Sequence, residues 1–219
     1  MSKNKILIYV SLLFFTFFIH EITAQNRFKA GVVAGFNVAQ IRGDDTGGFN
    51  KLGVVGGVRA IILLGENLER KEENKMDVTL ELLYSQRGSR ANGTEQRRLG
   101  RDVEIDLNYV EVPVLFNYKD WYDEGDEYYK IQASGGFAYS RLINSRSAGD
   151  TNTHNNEVEN FNENDVSLIL GAEYFITPKI SVSARWGTSI NLLYNSEKND
   201  QDLNSLRGHF LSFRTNYLF

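Results

Sequence analysis

Gly208 to Phe219 reads GHFLSFRTNYLF. In an extended chain Leu211, Phe213, Tyr217 and Phe219 share one face. Ser212, Arg214 and Asn216 lie on the other, interrupted by Phe210 and Leu218. Termini of soluble domains usually fray into solvent. A sequence closing on Tyr-Leu-Phe with no polar tail calls for a paired last strand and a covered apolar face. A membrane barrel supplies both, because neighbouring strands take the hydrogen bonds and lipid takes the aromatics.

Working back along the chain, period-two alternation recurs in seven more segments. They cover 28–41, 52–64, 76–87, 103–118, 128–142, 165–176 and 180–192. Val78, Leu80, Leu82 and Tyr84, for example, oppose Asp77, Thr79, Glu81 and Ser85. The segments exceed the five or six residues usual in globular strands and suffice to cross a bilayer. Their even number is what a single-chain bacterial barrel requires. The fold expected is all-β, an eight-stranded antiparallel up-and-down transmembrane β-barrel. A soluble lipocalin-like barrel is the competing fold, and it would leave the apolar face uncovered.

The connections also alternate. Residues 42–51, 88–102, 143–164 and 193–207 form one set, and 65–75, 119–127 and 177–179 the other. Outer-membrane barrels keep shorter turns in the periplasm and longer loops outside, so the polar stretch 143–164 is expected outside the cell. At the N-terminus, Lys3 and Lys5 precede an apolar run from Ile6 to Ile19. Residues 1–24 therefore read as a signal peptide cleaved after Ala24, too short in its apolar part for a spanning helix. Residues 25–219 form one barrel domain, expected in the outer membrane after assembly by the insertion machinery.

Alternation puts Arg59, Glu81, Glu111, Glu173, Arg185 and Arg214 on the side of the glycines and serines. One arginine on the lipid face at mid-membrane costs about 2–4 kcal/mol, and a one-residue slip would expose several. These six must point inward. Three positive and three negative charges then occupy a lumen barely wide enough for side chains. They are expected to form an ion-pair network that plugs the barrel. A water-filled polar lumen is the alternative, and with it a narrow pore or conduit for a small solute or amphiphile. Phe213, Tyr217 and Phe219 are expected to close the eighth strand against the first, so that deleting 217–219 abolishes assembly. Tyr84, Tyr118, Tyr129, Tyr174 and Trp186 suit interfacial girdles.

Particular motifs then give a resemblance. Lys29-Ala30-Gly31 with Gly35-Phe36-Asn37, the run Glu81–Gly88 (ELLYSQRG) and Leu107–Leu115 (LNYVEVPVL) are similar to the first, third and fourth strands of the PorT-like outer-membrane β-barrel family. Gly135–Tyr139 and Gly171–Tyr174 fall where that family has glycine-aromatic motifs. The resemblance implies an eight-stranded barrel in a Gram-negative outer membrane. The namesake's link to protein secretion does not transfer with it.

Several chemistries find no support. The absence of cysteine excludes a lipobox, disulfides and thiol catalysis. His20 leaves with the signal peptide, His154 sits in a polar loop, and His209 and Ser212 fall on opposite strand faces. No base–nucleophile pair results, so the chain reads as non-enzymatic. Asp150–His154 begins like a calcium loop, but Asn155 replaces the required glycine, and no metal or other cofactor is expected. A net charge of −4 gives no sign of nucleic-acid binding. Asn92-Gly93-Thr94 matches a glycosylation sequon. Arg97, Arg98 and Arg101 make their loop basic, a natural neighbour for lipopolysaccharide. Expected partners are outer-membrane lipid, the assembly machinery and an extracellular or envelope protein.

Overall fold

A computed structural model of the chain describes residues 27–43, 47–64, 75–99, 104–148, 162–193 and 206–219. The expected signal peptide and the Asp150–His154 stretch lie outside them. Eight antiparallel strands close into a barrel in sequence order. They are β1 (Phe28–Arg42), β2 (Lys51–Leu64), β3 (Met76–Arg90), β4 (Glu104–Asp123), β5 (Tyr128–Ala148), β6 (Asn164–Phe175), β7 (Ile180–Ser189) and β8 (Arg207–Leu218). The strands sit where the alternation put them. β4 and β5 run further than expected, so the turn between them shrinks to 124–127.

Alternation decides which face each side chain takes. In β1, Val33, Asn37, Ala39 and Ile41 are buried inside while Phe28, Val32 and Phe36 are exposed outside. The same rule runs round the barrel, and the outer wall presents Val58, Leu82, Phe116, Phe137, Leu170, Trp186 and Phe213. In water such a surface would be a severe aggregation liability; in lipid it is the solvated face.

The ladder between β3 and β4 skips Glu81 and Leu82, passing from Leu80–Val114 to Leu83–Glu111. Pro113 falls in that gap and has no N–H to give the ladder. The β4–β5 ladder shifts between Asn108 and Tyr109, a bulge that lets β5 climb past the barrel rim.

One connection holds structure that the loop reading missed. Gly93–Leu99 forms a short helix, α1. Asn92 caps it: its Oδ1 accepts from the backbone N–H of Thr94 and Glu95, at 3.0 Å each. Glu95 reaches back to accept from the Asn92 N–H at 2.8 Å. This is a capping box with asparagine in the serine position. The sequence that resembles a sequon is thus a helix start. Glu95 also accepts from the Gly47 N–H at 2.7 Å, which ties this connection to the one after β1.

Candidate functional site: the charged lumen

Charge inside the barrel is placed by strands from every quarter of its wall. Arg59 comes from β2, Glu81 from β3, Glu173 from β6, Arg185 from β7 and Arg214 from β8. Glu81 is the hub. It takes a bidentate pair from Arg185, at 2.7 and 2.8 Å, and a further hydrogen bond from Arg214 at 3.1 Å. Arg59 Nε lies 3.7 Å from the same carboxylate. The Arg59 guanidinium forks onto Glu173, at 2.8 and 3.2 Å. Glu173 also accepts from Ser181 and from Asn216 Nδ2 at 3.2 Å, while Arg214 Nε donates to Ser212 at 2.7 Å.

Glu111, the sixth expected residue, makes no ion pair with this group. It pairs instead with Arg87, which also reaches Asp165 at 3.2 Å. Arg87 and Asp165 were absent from the expected set. They have the inward parity of their strands, but each lies near a strand end, and the expectation took only strand centres. Tilted, staggered strands carry the end of one to the level of another's middle. Inward parity along the whole strand was the signal to follow.

The inward glycines and the apolar rings then make sense. A Cβ on Gly171 would lie 2.7 Å from Cγ of Arg185, so the glycine leaves room for the arginine stem. A Cβ on Gly187 would lie 2.2 Å from the Phe210 ring. Phe210 settles there with its ring centroid 3.7 Å from the Arg87 guanidinium, a cation–π contact in a buried site.

None of the six expected residues is more than 4 % exposed. Apolar clusters toward both ends contribute to that seclusion, the near one sharing its level with the buried pair Asp77–Lys119 at 2.6 Å. Ile61, Leu63, Phe175 and Leu218 cluster at the end of the barrel that carries Phe28 and Phe219. Ile41, Ile105, Leu107, Tyr109 and Leu193 cluster at the far end. Beside Arg87 and Asp165 lies a cavity of about 10 Å³, room for one water at most.

The closing seam is equally explicit. β8 pairs with β1 from Gly31–Leu218 to Arg42–Arg207. The Phe219 N–H donates to Ala30 O at 3.0 Å. Outside, the Phe213 ring packs on Phe36 at 5.4 Å and Tyr217 meets Phe219 edge-on at 5.9 Å. Among the described residues no group of acids, histidines and cysteines could hold a metal ion.

A closed barrel with an apolar wall and a charged interior defines a protein of the transmembrane β-barrel class. The chain belongs to the outer membrane protein beta-barrel domain family, whose model matches residues 23–195. The comparison with curated proteins gives no match.

Among solved structures the chain is similar to Ail, the attachment invasion locus protein of Yersinia pestis. They share 11% identity over 88% of this chain and 99% of that one, at a TM-score of 0.47. It is also similar to the outer membrane protein OprG of Pseudomonas aeruginosa, at 11% identity, 88% and 97% coverage and a TM-score of 0.39. A third is the N-terminal β-barrel domain of Pseudomonas aeruginosa OprF, at 8% identity, 84% and 96% coverage and a TM-score of 0.33.

Proposed function

We propose that this chain is a non-enzymatic, non-conducting outer-membrane barrel that serves the envelope as a structural and interaction protein. The observation that carries the reading is the stacking inside the wall, where buried ion pairs lie between two apolar clusters. A solute would have to break charge-assisted hydrogen bonds and part both clusters. Separating a buried ion pair costs about 3–5 kcal/mol when one partner is lost. This weighs against the pore or conduit reading, which needs a continuous wet path.

Export by cleavage after Ala24 and a place in the PorT-like branch of the family are part of the same proposal, supported by the sequence motifs above. The far end, with the longer connections and α1, is then the outer surface that meets an extracellular or envelope partner.

Fractionation combined with surface proteolysis tests location and topology together. The barrel should sediment with the outer membrane, show heat-modifiable mobility, and be cut from outside within 149–161. Cleavage there only after the periplasm is opened would reverse the topology. In liposome-swelling assays the purified barrel should admit no small sugar. Swelling at porin-like rates would favour the conduit.

A further inference from the structure

The far rim of the barrel carries several cations, and most face an acid. Lys51 pairs with Glu104 at 2.7 Å and with Asp106. Arg90 lies 3.9 Å from Glu104, and Arg141 pairs with Glu163. Arg146 stands opposite Asp106 in the ladder. The seam breaks this pattern. Arg42 and Arg207 are direct cross-strand partners, both exposed, and no described residue forms an ion pair with either. Like charges placed directly opposite destabilise a strand pair.

Their position shows what would relieve the repulsion. Both share the outward face with Val38, Leu211 and Phe213, so they stand over the lipid side of the seam. One rung below are Gln40 and His209, the latter with its Nε2 buried. The next outward rung holds Val38 and Leu211, with Trp186 opposite Leu211. Tryptophan is enriched at the membrane–water interface. Four residues of strand is about 13 Å, roughly 10 Å along the membrane normal at the usual tilt. Extended arginine side chains close much of that distance.

We propose that Arg42 and Arg207, with Gln40 beneath them, form a seat at the β1–β8 seam for the phosphate of an outer-leaflet lipid headgroup. Two guanidiniums offer forked donors that match phosphate oxygens, and a dianion between them turns repulsion into attraction. The Gln40 carboxamide supplies a further donor from below. Because the seat lies on the closing strands, a bound lipid would bridge the first and last elements of the barrel.

The test uses the full-length barrel folded in detergent, with bound lipid counted by native mass spectrometry. The probes are bis-phosphorylated lipid A, its dephosphorylated form and inorganic phosphate. The Arg42→Gln/Arg207→Gln double variant should bind lipid A about tenfold or more weakly than wild type. Arg90→Gln/Arg146→Gln, which removes the same charge elsewhere on the rim, should change binding by about twofold or less. Dephosphorylated lipid A should bind wild type no better than lipid A binds the seam variant. Both variants alter exposed side chains, and heat-modifiable mobility verifies that each is folded. Equal losses in the two variants would overturn the proposal, as would full retention in the seam variant. Ready displacement of the lipid by inorganic phosphate would also overturn it, by assigning the seat to the free anion.

Discussion

Two of the charge groups inside the barrel solve the same problem with opposite stoichiometry, while a third, the buried Asp77 with Lys119 at 2.6 Å, sits toward the other end. At the waist, three arginines converge on Glu81, and Arg59 reaches on to Glu173. Nearer the far end a single arginine, Arg87, serves two acids, Glu111 and Asp165. The waist carries one surplus positive charge and the far group one surplus negative charge. Neither is neutral alone, and the two together are. A buried lumen tolerates a local surplus more readily when its complement lies in the next layer of the same low-dielectric interior.

Removing a hub should therefore hurt more than removing a spoke. Glu81→Ala leaves Arg185 and Arg214 without their shared acceptor and deprives Arg59 of one of its two neighbours. We expect it to cost about 3–5 kcal/mol and to fail to reach the heat-modifiable form in ordinary refolding. A normal denaturant midpoint for this variant would break the comparison. Arg87→Met strips the cation from two acids and removes the contact with Phe210. Asp165 keeps its bond from Ser167 at 2.9 Å, so a smaller loss of about 2–4 kcal/mol is expected in the same unfolding measurement.

A double-mutant cycle sharpens the picture. Arg59→Met combined with Glu173→Gln should cost less than the sum of the singles by about 1–3 kcal/mol, because the forked pair disappears as a unit. Additivity would mean that the fork seen at 2.8 and 3.2 Å contributes little. Gln132 marks the low end. Its Nε2 is 3.5 Å from Glu173 and its Oε1 has no partner, so Gln132→Leu should shift stability by no more than about 1 kcal/mol.

The same contrast shows how far the sequence could be read. Strand number, order and facing follow from the period-two pattern, because a slip would put charges such as Arg59 and Arg185 into lipid. The waist residues were visible for that reason, each a charge in mid-strand among serines and glycines. The far group was not. Glu111 was grouped with the waist, although strand stagger delivers it to Arg87, and stagger is a property of closure that no single strand encodes. The apolar clusters escaped notice as well. Ile61, Leu63, Ile105 and Leu107 keep the polar parity, and alternation along one strand gives them no partner. The closed barrel brings them together as clusters at the two ends of the charged lumen. α1 was not expected because Asn92-Gly93-Thr94 was noted only as a sequon match, and Glu95 three residues after Asn92 was not weighed as a cap.

Single-channel recording in planar bilayers is the most direct test of the sealed lumen. Purified wild-type barrel, shown by mobility to be folded, should give no steady conductance above the bare membrane over a wide voltage range. A stable ohmic current through the wild-type protein would contradict the account, because ions would then be passing both the paired charges and the apolar layers that enclose them.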